Sequence, residues 1–145
     1  MTRLNARLRS VAADDEGSVL ILTLGYAVLA IAVLLVCVDA TSLYLAQKRL
    51  DGLADAAALA GADGFTLVVE EGRPRAELTD GGIREQADAL VDQVGAGATV
   101  IDATTPDGVS ARVTLAGTWR PPITSLFVPD GVALQATATS RTALR

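Results

Sequence analysis

From Gly17 to Val38 the chain runs for 22 residues without a charged side chain. At ~1.5 Å of rise per residue, a helix of that length covers the ~30 Å hydrocarbon core of a bilayer. The run therefore predicts a single membrane span. Arg3, Arg7 and Arg9 precede it, whereas the first basic residues beyond it are Lys48 and Arg49. This asymmetry predicts a cytoplasmic N-terminus, with the rest of the chain on the outer side of the plasma (inner) membrane. Two rival readings give the same residues to export signals. A cleaved secretory signal would end at Val38-Asp39-Ala40, but the apolar run exceeds the usual ~7–15 residues of a signal core. A lipoprotein signal would use Cys37, but Leu35-Val36 precede that cysteine where a small residue is usual.

The sequence divides into a cytoplasmic tail (1–16), a transmembrane helix (17–38), an extracytoplasmic continuation of that helix (39–62) and a small outer domain (63–145). In the tail, Asp14-Asp15-Glu16 reads as an acidic cluster at the start of the helix, where the dipole favours negative charge, or as an ion-pairing site for a neighbouring subunit. No proline occurs between Gly17 and Ala62, so the span can continue outward as one helix of ~45 residues, ~65 Å long. In its outer half Leu43, Ala46, Leu50, Leu53, Ala57 and Ala60 follow alternating three- and four-residue steps. They form one apolar stripe that tapers from leucine to alanine. Half the chain is hydrophobic yet only 3% is aromatic, the balance expected when a span is joined to an alanine-rich helix.

Beyond this helix, residues 65–70 (FTLVVE) suggest a strand and residues 70–75 (EEGRPR) a polar loop. Ile83, Ala87, Leu90, Val91 and Val94 mark a short amphipathic helix, with Thr79-Asp80 as its cap and Gly95-Ala96-Gly97 as its stop. Residues 98–103 and 109–117 flank Thr105-Pro106-Asp107-Gly108 and predict a β-hairpin. Pro121-Pro122 break the chain, Ile123 to Val128 connect, Pro129-Asp130-Gly131 turn, and residues 132–140 alternate again. The expected class is α+β: a long N-terminal helix, one short helix and a small antiparallel sheet of three to four strands.

Several function classes are disfavoured. The chain has no histidine and one cysteine, which removes Ser-His-Asp and Cys-His nucleophile arrangements, His-ligated zinc and internal disulfides. No phosphate-cradling loop, dinucleotide fingerprint or nucleophile elbow occurs. Asp102, Asp107 and Asp130 fall at turns and read as turn formers rather than calcium ligands. From Ala40 onward nine basic residues face thirteen acidic ones without a basic cluster, which argues against nucleic acid as a partner. The expectation is a non-enzymatic protein with no catalytic residues, metal, cofactor or small-molecule substrate.

One family resemblance emerges from the order of particular residues. An uncharged span opened by Gly17 is followed by Val38-Asp39, Leu43-Tyr44-Leu45-Ala46, Arg49-Leu50 and Ala54-Asp55-Ala56-Ala57-Ala58-Leu59-Ala60-Gly61-Ala62. This order resembles the N-terminal half of TadE/TadG-like proteins of the tight-adherence (Flp) pilus systems, relatives of type IV pili and type II secretion. The resemblance implies a pilin-like fold, and partners among other pilin-like or Tad assembly proteins that meet the N-terminal helix. It also implies a possible leader-peptidase cleavage between Gly17 and Ser18. Two departures stand out: the fifth residue after Gly17 is Leu22 where prepilin-like members carry glutamate, and 145 residues are too few for the von Willebrand factor type A domain of long members.

Small residues along one helix face let backbones approach closely. Ala54, Ala57, Ala58, Ala60 and Gly61 are accordingly the candidate helix-packing and partner interface, either against the protein's own sheet or against other helices. On the partner reading, Ala57→Leu would impair association without unfolding the outer domain. Asp39 reads as solvated at the headgroups, or as the anion of an intersubunit ion pair with Lys48 or Arg49. Tyr44 fits an interfacial aromatic, and Trp119 a core or sheet-edge anchor. The function expected is that of a minor pilin-like component or assembly factor of a Tad-type pilus. The alternative is a monomeric, single-span, membrane-anchored binding module.

Overall fold

The computed structural model describes the backbone of residues 2–70, 72–95 and 97–141, and the side chains of residues 17–69, 72, 76–95 and 97–141. The chain divides into two compact units, residues 1–40 and 41–145. Helix α1, Thr2–Asp63, contributes to both.

In the first unit every residue from Gly17 to Val38 is exposed, and the helix is long and apolar enough to cross a membrane. Leucine, isoleucine and valine point outward on all sides, so this stretch has no polar face. The Thr23 hydroxyl donates to the Val19 carbonyl one turn back, at 2.7 Å, which satisfies it without water. Because α1 begins at Thr2, Asp14-Asp15-Glu16 does not occupy its first turn, and the capping role expected there does not apply. The side chains of this cluster lie outside the described residues.

The second unit is α+β. After α1 come strands β1 (Thr66–Glu70) and β2 (Arg73–Glu77), helix α2 (Asp80–Val94), and strands β3 (Thr99–Thr104), β4 (Ser110–Trp119) and β5 (Val132–Arg141). Two antiparallel sheets result, a ribbon β1-β2 and a three-stranded sheet β3-β4-β5. The segment expected to be a polar loop at 70–75 is in fact the turn and second strand of the ribbon, with Val69 paired to Pro74. Proline is tolerated because both strands of a two-stranded ribbon are edges.

The three-stranded sheet follows its alternation closely. Val113 pairs with Ala138 and Leu115 with Ala136, and all four point into the core. The strand β3 carries one irregularity: its register shifts between Val100 and Asp102. Strict alternation from Val100 would bury Asp102; the bulge at Ile101 sends Ala103 inward instead. Helix α2 begins where Thr79 accepts a hydrogen bond from the Gly82 N–H at 3.2 Å and buries Ile83, Ala87 and Val91. Its first-turn Asp80 also accepts the Thr105 N–H at 2.7 Å, which ties the β3–β4 connection to the helix.

Candidate functional site

Residues from the outer half of α1, from α2 and from the three-stranded sheet share one core. Ala54, Ala57, Ala58 and Ala62 have no exposed surface; Gly61 is buried and Ala60 half-buried. A Cβ added at Gly61 would stand 2.8 Å from Ile83 Cγ2 and 3.5 Å from the Ala111 Cβ. Only glycine allows α2 and the sheet this close. The taper of the stripe from leucine to alanine thus has a geometric cause: at Leu50 the helix leaves room for a full side chain, which reaches toward Gly117, and by Gly61 it leaves none.

The same geometry revises one expectation. Since Ala57 is wholly enclosed, leucine there would be forced into the outer domain's own core, and the variant would not spare that domain. Of the five candidate interface residues, only Ala60 is not buried.

Asp39 is 8% exposed, which does not fit a carboxylate solvated at the headgroups. Lys48 is engaged within its own helix: its ammonium lies 3.1 Å from Asp51 Oδ2, and Gln47 Nε2 donates to Asp51 Oδ1 at 2.9 Å. The Asp51 hydrogen bond and charge raise the Lys48 pKa above its ordinary value. Hydrogen bonds from Gln47 and Lys48 lower that of Asp51. Arg49 is left facing a groove. Gly17 and Ser18 lie within α1 and are exposed.

This groove, about 610 Å³, was not foreseen. It opens between α1, the end of α2 and the β4–β5 end of the sheet, with Leu50, Leu53, Val94 and Trp119 as its apolar lining and Arg49 and Arg120 as its charges. Its trace in the sequence is one edge of the apolar stripe, where Arg49 and Ala56 join Ala46 and Leu53 at helical spacing. No carboxylate lines it, so it holds no acid–base pair. Among the described residues, no group of three histidine, cysteine or acidic side chains could hold a metal ion.

Two hydrogen bonds fasten α1 to the β4–β5 hairpin. Trp119 Nε1 donates to Ser42 Oγ at 3.1 Å, and Gln47 Nε2 donates to the Gln135 carbonyl at 3.0 Å. Trp119 is the last residue of the central strand β4, paired with Val132, and its indole N–H ties that end of the sheet to α1.

At the far end of β4, Asp107 organises the strand's entry. It accepts from the Ser110 hydroxyl at 2.8 Å and from the N–H groups of Val109 and Ser110 at 3.1 and 2.6 Å. Arg141 approaches its carboxylate at 3.7 Å. The Ser110 hydroxyl, followed by the Val109 N–H, lowers the Asp107 pKa from its ordinary value.

No curated protein and no solved structure matches the chain. A family model does: residues 17–64, about a third of the chain, match the family described as Flp pilus-assembly TadE/G-like. The match begins with the exposed apolar run and ends just past Gly61, where the close-packed alanine face ends. Over these residues the chain resembles the TadE/TadG-like proteins of the Flp pilus-assembly family.

Proposed function

We propose that the protein is a non-enzymatic, minor pilin-like component or assembly factor of a Tad-type pilus. Residues 17–38 anchor it in the plasma membrane with the N-terminus cytoplasmic, and residues 41–145 form its extracytoplasmic domain. It works by helix association with other pilin-like or Tad assembly proteins. The observation that carries this reading is the uninterrupted exposure of large apolar side chains from Val19 to Val38. Among the described residues nothing covers them, and hydrocarbon or other helices satisfy them where water does not. The TadE/G-like match over residues 17–64 supports the same role. Because Ala54, Ala57 and Ala58 are enclosed, association falls to the span and to the exposed side of α1 around Tyr44, Leu45 and Leu59. An intersubunit ion pair of Asp39 with Lys48 or Arg49 belongs to this reading; within its own helix Lys48 also pairs with Asp51.

A second reading, the anchored binding module, is favoured by the groove with its two arginines, whose chemistry suits an apolar chain ending in an anion. Photo-crosslinking in cells separates the two. A photoreactive residue at Val28 should capture pilus-assembly proteins, and one at Arg120 should not. Adducts at Arg120 alone would overturn the pilus reading in favour of the binding module. The mass of the captured chain also reports processing, since cleavage between Gly17 and Ser18 removes the first 17 residues.

A further inference from the structure

The β4–β5 connection carries two large apolar side chains that its own domain does not use. Leu126 is 90% exposed and Phe127 84%, with Ile123, Val128 and Val132 partly exposed beside them in sequence. Scattered exposed leucines need no explanation, but adjacent ones in a segment without charge do. From Pro121 to Pro129 there is no charged residue, and Arg120 and Asp130 bracket the run.

The loop is built rather than slack. The N–H groups of Phe127 and Val128 both donate to the Thr124 carbonyl, at 2.9 and 3.2 Å, and Gly131 N–H donates to the Val128 carbonyl at 3.2 Å. Its base is closed by the Trp119–Val132 pair. Gly131, at φ 74°, lies so close that a Cβ would stand 2.5 Å from the Trp119 carbonyl oxygen. The turn therefore holds Leu126 and Phe127 in place as a pair.

The base of this loop sits at the end of the domain where α1 enters it, because Trp119 bonds Ser42. Ser42 follows the last uncharged residue of the span, Val38, by four positions. That is ~6 Å along a helix and at most ~14 Å of extended chain. Trp119 and the exposed Tyr44 are also the residue types that favour a membrane–water interface.

We propose that the 121–129 loop is a membrane-inserting tip: Leu126 and Phe127 enter the acyl boundary of the bilayer that holds the chain's own span, giving the outer domain a second lipid contact. The inference rests on the membrane anchoring proposed above. The insertion is shallow and interfacial, and the loop's closed hydrogen bonds lower the cost of burying its backbone.

The test uses the full chain in phosphatidylcholine–phosphatidylglycerol vesicles containing nitroxide-labelled phosphatidylcholine, with a fluorophore on a single cysteine. The label is placed on native Cys37, or on Leu126→Cys or Glu85→Cys in a Cys37→Ser background. Leu126 and Glu85 are exposed, so both variants spare the core. The expected result is loss of most emission to the lipid nitroxide at Cys37 and at Leu126→Cys, while Glu85→Cys keeps its emission and is quenched only by iodide. Quenching at Cys37 with Leu126→Cys open to iodide would overturn the loop while leaving the anchor intact. A Leu126→Cys label shielded from both quenchers would place protein over the loop and overturn the lipid contact. No lipid quenching at Cys37 would overturn the anchor itself, and the loop with it.

Discussion

The two halves of α1 are both rich in apolar residues, yet they meet opposite surroundings. Between Gly17 and Val38 the side chains are large, point in every direction and are all exposed. Between Leu50 and Ala62 the apolar residues are mostly small, keep to one side and are buried against α2 and the sheet. Hydrophobicity alone does not separate these environments. Side-chain size does: bulky residues suit a fluid solvent of lipid tails, whereas alanine and glycine mark a face where another backbone arrives at close range.

The contrast can be broken first by cutting the core that the small residues touch. Leu115→Ala removes a fully enclosed side chain and should cost about 2–5 kcal/mol of outer-domain stability. Leu29→Ala, in the exposed run, should leave the unfolding midpoint of that domain unchanged. Trp119, the only tryptophan, reports both by fluorescence during denaturant unfolding of the chain in detergent. Equal losses from the two variants would abolish the distinction.

Enlarging the small residues sharpens it. Ala57→Leu should destabilise the outer domain by about 1–3 kcal/mol through overpacking, while Ala30→Leu, in the exposed stretch, should not. Thermal unfolding followed by circular dichroism measures the difference. A stable Ala57→Leu domain would mean that the seam has space the structure does not show.

The smallest expected effect concerns charge in the second unit. Asp107 has a lowered pKa in the folded protein because Ser110 and Val109 donate to its carboxylate. A depressed carboxyl contributes stability that is present above its unfolded pKa of about 3.9 and is lost as pH falls through the folded value. The unfolding midpoint should therefore decline below about pH 4. Asp107→Asn should flatten that part of the profile, as seen in denaturant titrations across the acid range. An unchanged profile would mean that the turn does not depend on the ionised carboxylate.

Much of the outer unit was legible because its signals are local. Thr79, the spacing of Ile83, Ala87 and Val91, and Gly95 delimit α2 without any knowledge of its partners. The turn at Pro106-Asp107-Gly108 separates β3 from β4 in the same way. The ribbon strand at Arg73–Glu77 was not legible, since charge and proline argue against a strand unless both neighbours are known to be edges. The bulge at Ile101 answers to the core across the sheet, which a five-residue window does not contain. The groove between Arg49 and Arg120 joins residues 71 positions apart and exists only once α1 and β4 meet. The α+β class and the apolar span, by contrast, follow from periodicity and length.

The alanine face of α1 has a consequence in time as well as in space. It is synthesised well before part of its cover, Ala136 and Ala138 of β5. Until β5 emerges this face waits without its partner strand. A leucine-lined face would present a broad adhesive surface throughout that interval. An alanine-lined one offers far less area to a wrong partner, so the tight seam of the finished domain is also the least sticky surface of the unfinished one.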